Sequence, residues 1–249
     1  MTQESSSNIK GADYDVIDKK RKALMSKFRD QHNLDWEANL NWTRVWNKAV
    51  SPGHEPPSGK PGETMLWKLT QLPTCLEIGC GNQSEEGLMS TVALKFHTVD
   101  PDPTVDTTYN DFDDIPGNIK YTCVIAKEVF EHIPKDKIID FTKDTYDVMQ
   151  YNGFLVASIP NIYNPVGFLQ NPDHVTNMDY AWFGSILESC GFDVVDVFLC
   201  QMSNIELSQK FNRLSDDENF NFIVNVMKQF YSLHPAKSLV VVAKKNLPS

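Results

Sequence analysis

One stretch, Thr74-Cys75-Leu76-Glu77-Ile78-Gly79-Cys80-Gly81-Asn82, limits what this chain can fold into more than any other. Its apolar run predicts a buried β-strand that ends in an acid, Glu77, and passes straight into a glycine turn. Two glycines with Cys80 between them let the backbone turn sharply and leave its N–H groups uncovered, because no Cβ holds a ligand away. The segment from Ser84 to Leu94 then repeats apolar residues at helical spacing, with Glu85 and Glu86 in its first turn. Strand, glycine turn and helix form a nucleotide-type binding unit, and Glu77 adds an acceptor where a positively charged group can dock.

A second acid lies at a useful distance. Lys95 to Val99 reads as the next strand and ends in Asp100, 19 residues beyond Gly81. In a βαβ unit that spacing returns the chain to the same sheet edge, where a carboxylate can accept bonds from ribose hydroxyls. The third glycine of a dinucleotide fingerprint would fall at Ser84, so the glycines alone leave a simple turn as the alternative. Their combination with Glu77 and Asp100 points to a nucleoside-cofactor site.

The remaining chain extends this pattern. Tyr121 to Ala126 is apolar enough for a central parallel strand, and Lys127-Glu128-Val129-Phe130-Glu131-His132 follows at the strand edge where open α/β sheets bind ligands. Asp136 to Tyr151 has an amphipathic helical pattern closed by Asn152-Gly153, and Phe154 to Ile159 reads as a fifth strand. Phe192 to Cys200 and Ser238 to Ala243 read as the last two strands, with a helical insertion over about 201–236 between them. Residues 1–13 are polar and Ser-rich, a disordered tail by composition. Residues 14–62 form a helical cap, helical in character from Tyr14 to about Val50, and a Pro/Gly-rich linker. The linker segment Gly53 to Lys60 fails as a phosphate-binding loop, since Ser58 replaces the second glycine and Pro61 follows the lysine.

Composition excludes some partners. The 249 residues carry a net charge of −10, which disfavours a nucleic-acid backbone. No apolar run reaches membrane-spanning length and the N-terminus lacks a signal-peptide core, so no membrane span is expected. The five cysteines read as reduced core thiols of a cytoplasmic protein, and no Cys/His spacing suggests a metal, so none is expected.

The motif Leu76-Glu77-Ile78-Gly79-Cys80-Gly81 resembles the first motif of class I S-adenosylmethionine-dependent methyltransferases of the type 11 and type 23 kind. The similarity continues through Thr98-Val99-Asp100, Asn110-Asp111-Phe112, the segment from Lys127 to Ile133, Ala157 to Asn161, and Gly191-Phe192, over roughly residues 63–200. It implies an α/β fold with a Rossmann-like doubly wound sheet of seven strands, the last antiparallel, preceded by the N-terminal helical cap. It implies S-adenosyl-L-methionine as cofactor, with Glu77 at its amino-acid end, Gly79, Cys80 and Gly81 under it, and Asp100 on the ribose. Asp111 and Phe112 would lie over the adenine, with a solvated acidic loop as the alternative, and Lys127 and Glu128 would border the cofactor. His132 is a candidate base for removing a proton from an acceptor hydroxyl or amine, or else a histidine bonded to nearby backbone. Glu131 would position the turn, and His174 stands at the lip of the acceptor pocket or simply opens a helix.

The function expected is methyl transfer to an O or N atom of a small molecule, such as a saccharide or another metabolite. The alternatives are an NAD-dependent oxidoreductase on a similar fold and a non-catalytic binding subunit. A homodimer is one use for the apolar stripe of the helical insertion.

Overall fold

The computed structural model describes residues 13–28, 34–37, 44–45, 48, 74–81, 95–164, 171–200, 217–231 and 236–247. The expectations for the tail to residue 12, the linker, and the helices over 63–71 and 84–94 lie outside those residues, as does the region 201–216 of the helical insertion.

Seven strands make one sheet: β1 (Trp36–Glu37), β2 (Thr74–Ile78), β3 (Lys95–Val99), β4 (Tyr121–Lys127), β5 (Met149–Pro160), β6 (Phe192–Cys200) and β7 (Ser238–Lys245). Their order is β1-β6-β7-β5-β4-β2-β3. The pairs β2/β3, β2/β4 and β4/β5 are parallel, and β7 runs antiparallel to both β5 and β6. The Rossmann-like architecture with an antiparallel last strand is therefore present. Residues buried on both faces explain why β2, β4 and β7 read as unbroken apolar runs: Cys75 to Ile78, Tyr121 to Ala126 and Leu239 to Ala243 are all buried.

Two strand assignments differ from the sequence reading. Between β3 and β4, where a seven-strand sheet of the implied kind needs a third strand, the chain makes a single parallel bridge, Val99 to Tyr109. The seventh place is taken at the opposite edge by β1, inside a segment read as helical from Tyr14 to about Val50. Within that segment α1 spans Tyr14–Phe28, and Arg44, Val45 and Lys48 are again helical. The force that draws β1 out is ionic. The Arg44 guanidinium donates to both Asp196 oxygens on β6, at 2.6 and 3.0 Å, and to Glu37 of β1 at 3.3 Å. Its planar fork matches a carboxylate bidentately, and it also lies 4.6 Å from the centroid of the Phe198 ring.

A third difference concerns α2 (Ile138–Asp147), which stops four residues short of the expected Tyr151. The Lys245 ammonium on β7 donates to the Tyr146 and Met149 carbonyls at 2.8 and 2.9 Å, satisfying acceptors that a helix end leaves exposed. Met149 then begins β5, and Asn152 (φ +64) with Gly153 makes an irregularity inside that strand rather than a helix stop. A Cβ at Gly153 would sit within 2.9–3.1 Å of three carbonyl oxygens, so only glycine fits there.

The remaining helices are α3 (Tyr180–Ser189) and α4 (Glu218–Tyr231). Asp179 caps α3 by accepting from the Trp182 N–H at 2.7 Å. Helix α1 packs on α3, and Leu24 approaches Gly184 closely enough that a Cβ there would meet it at 2.9 Å. Helix α4 lies within the region 201–236. Among the described residues no helix is long and apolar enough to cross a membrane.

Candidate functional site

Parallel strands leave their carboxyl ends along one edge, and in an open sheet that edge is where a crevice forms. Here β2, β3 and β4 end beside a cavity of about 820 Å³. Six of the residues singled out in the sequence line it: Gly79, Asp100, Asp111, Phe112, Glu128 and His132. Its volume lies in the range of small-molecule and cofactor sites, roughly 300–1,000 Å³. The sealed strand tips that would exclude a ligand are not what this edge presents.

Gly79 (φ +64) and Gly81 (φ +49) both use left-handed backbone, as the turn requires. Their N–H groups, however, are not the bare donors expected. Gly79 donates to the Val99 carbonyl at 2.8 Å, and Gly81 donates to Asp100 Oδ2 at 2.9 Å. The turn is thus built by spending these donors on β3, which fixes the crevice floor before any ligand arrives. At Gly81 an added Cβ would meet no described residue within 4 Å.

Asp100 is buried, with Oδ1 accepting from the Asp102 N–H at 3.0 Å and Oδ2 from Gly81. A carboxylate oxygen has about two lone-pair sites, so each retains one for a hydroxyl from the cavity. Asp111 caps the short turn Phe112–Asp114 in a reciprocal capping box with Asp114. That turn presents Phe112 to the cavity and braces it edge-on against Phe141, ring centroids 5.5 Å apart. Phe141 in turn meets Phe130 at 5.2 Å, and Phe130 meets Phe183 of α3 at 4.7 Å.

Glu77, Cys80, Gly81, Lys127 and His174 are not among the residues lining the cavity. Glu77 is 1% exposed and faces the Lys127 ammonium at 3.6 Å, so the positive charge expected to dock at Glu77 is already met from within the chain. Cys80 is buried, and burial raises its thiol pKa. Glu128 adopts a left-handed φ of +54, unusual for a residue with a side chain. Its buried carboxyl bonds Ser158 and Ser238, while burial pushes its pKa up.

The structure also gathers residues that the sequence treated separately. Val175 and Thr176 both donate to the Glu131 carbonyl at 2.9 Å, which folds the loop around His174 onto the turn Phe130–His132. His132 and His174 then meet edge to face, centroids 4.9 Å apart. Their Nε2 atoms lie 3.9 and 3.8 Å from the same oxygen, Glu131 Oε1. His132 Nδ1 lies 3.1 Å from the Asp173 carbonyl, an acceptor, so this nitrogen carries the proton and Nε2 keeps its lone pair in the neutral ring. Burial first, then the charge of Glu128, pushes the Glu131 carboxyl well above the usual range. No metal was expected from the sequence, because expectation from sequence rests on ligand spacing and no Cys/His spacing of the metal-binding kind is present. The ligand-type cluster Glu131, His132, His174 escaped it, since only the fold brings residue 174 beside residue 131.

No protein-family model matches the chain, and no curated protein matches it. Solved structures do. A SAM-dependent methyltransferase from Archaeoglobus fulgidus aligns with 90% of this chain and 99% of its own at a TM-score of 0.53 and 16% identity. A chain from the complex of the Haloferax volcanii Trm112 methyltransferase activator with a methyltransferase aligns over 93% of this chain and 96% of its own, at 0.51 and 14%. The fold is therefore the class I methyltransferase fold, as the sequence resemblance implied.

Proposed function

We propose that this chain is an S-adenosylmethionine-dependent methyltransferase that methylates an O or N atom of a small molecule. The observation that carries the reading is the cavity at the ends of β2, β3 and β4, with Asp100 and Phe112 on its walls. The residues present fit such a cofactor: an acid with a free lone pair on each oxygen, an aromatic wall, and Gly79, without a side chain, on the cavity floor.

When bound, the cofactor supplies an activated methyl group, so the protein need provide only binding, orientation and field. Asp100 holds the ribose hydroxyls and Phe112 packs on the adenine, with Asp111 beside it. Gly79 gives the cofactor close approach to the backbone. Glu77 and Lys127 set the charge beneath the amino-acid end, and Glu128 borders the cavity. His132, on the cavity wall, presents Nε2 as the acceptor for a proton leaving the acceptor group. Holding the reacting atoms close and aligned supplies most of the acceleration.

Calorimetric titration with S-adenosylhomocysteine tests the reading. Asp100→Ala weakens binding about 5- to 150-fold, the equivalent of about 1–3 kcal/mol for removing one partner of buried hydrogen bonds. Thermal melting of the same variant separates that loss from any loosening of the turn through Gly81. Unchanged affinity, or tighter binding of NAD than of S-adenosylhomocysteine by the unaltered protein, defeats the proposal.

A further inference from the structure

We propose that Glu131, His132 and His174 bind a first-row divalent transition-metal cation at the wall of the cavity. Their ligand atoms all lie within 4.8 Å of one another. Around one such ion, with metal–nitrogen and metal–oxygen bonds of about 2.0–2.2 Å, neighbouring ligand atoms sit about 3.0–3.4 Å apart. The two Nε2-to-Oε1 separations of 3.9 and 3.8 Å need close by well under an ångström each. Rotation of the two rings, which already touch edge to face, is enough to bring this about.

The independent sign of a ligand is Glu131 itself. Its side chain is 1% exposed, and neither carboxyl oxygen accepts a hydrogen bond from another described residue. A buried carboxyl left so is expensive, and native structures normally satisfy such groups. A cation held between it and two imidazoles satisfies it.

The donor set narrows the metal. Two imidazole nitrogens and one carboxylate oxygen suit Zn²⁺, Co²⁺ or Fe²⁺ better than Ca²⁺ or Mg²⁺, which prefer all-oxygen shells. Three protein ligands also leave coordination positions open, the arrangement of catalytic rather than structural sites. The His132 Nδ1 contact with the Asp173 carbonyl orients that ring with Nε2 as the ligand atom, the usual support for a metal-bound histidine, and a cation there takes the lone pair that His132 offers as a base when the site is empty. Because His132 lines the cavity, the cation lies where the methyl acceptor enters. Its consequence for substrate choice rests on the methyl-transfer reading: acceptors bearing an oxygen that can approach the cation, a hydroxyl or enol, are selected over simple amines.

The test uses the full chain stripped with a chelator and titrated with Co²⁺, reading the visible absorption bands and the bound metal per chain. One Co²⁺ per chain, displaced by Zn²⁺, is expected. Glu131→Gln removes stoichiometric binding, and His132→Ala and His174→Ala each weaken it at least about tenfold. His132 is the half-exposed member, so its variant keeps the test decisive if the others fail to fold. No bound Co²⁺, or binding that none of the folded variants changes, overturns the site. S-adenosylhomocysteine affinity measured on the same samples keeps the two proposals apart. Retained cofactor binding without Co²⁺ defeats the cation site alone. Co²⁺ held by the three residues without cofactor binding supports the cation site and defeats the methyl-transfer reading.

Discussion

Arg44→Ala destabilises the protein by about 3–5 kcal/mol, measured by guanidinium unfolding, because it strands the Asp196 carboxylate in the sheet. Asp196 is only 6% exposed on its side chain and Arg44 only 15%, so neither is well served by water once the pair is broken. The guanidinium makes two bonds to Asp196, one to Glu37 and a ring contact with Phe198, and no other residue type can make all of them. The double variant Arg44→Met with Asp196→Leu recovers most of the loss, since an apolar pair of similar volume needs no counter-charge. A loss below about 1 kcal/mol in Arg44→Ala would mean the pair behaves as an exposed one, and the account of how β1 is held would be wrong.

Gly79→Ala loses about 2–5 kcal/mol by the same measurement and weakens S-adenosylhomocysteine binding with it. Two effects add. A residue with a side chain at φ +64 costs about 1–2 kcal/mol. The new Cβ would also stand 2.6 Å from Val129 Cγ2, and forcing that branched side chain aside costs about 1–3 kcal/mol more. Adding Val129→Ala relieves the second effect and not the first, so the double variant regains stability relative to Gly79→Ala. Additive losses from the two substitutions would rule out the clash. Val129 itself lines the cavity, so the turn cannot be altered without moving a wall of the site.

What was legible in the sequence is what local pattern decides. The apolar runs marked β2, β4, β6 and β7 correctly because both faces of each are covered, and the glycine turn with Asp100 came to one cavity as the βαβ spacing required. The features missed depend on partners far along the chain. The end of helix α2 at Asp147 is held by Lys245, nearly a hundred residues on, which takes the Tyr146 carbonyl, and by Lys120, which takes that of Asp147. Strand β1 exists because Arg44 reaches Asp196. The glycine N–H groups were read as free because their acceptors, Val99 and Asp100, belong to another strand. The meeting of His132 and His174 needed two backbone bonds to the Glu131 carbonyl that no spacing rule announces.

The strand order has a consequence for how the chain is made. Strands β5 and β6 never touch; β7 lies between them and is hydrogen-bonded to each. Until residues 238–245 have left the ribosome, the sheet exists as two separate leaves, each with an open flank able to pair with a stranger. Vectorial synthesis therefore leaves the closing stitch until all six other strands have been made. A nascent chain halted before Ser238 should depend on chaperones, while one halted well after Lys245 should not.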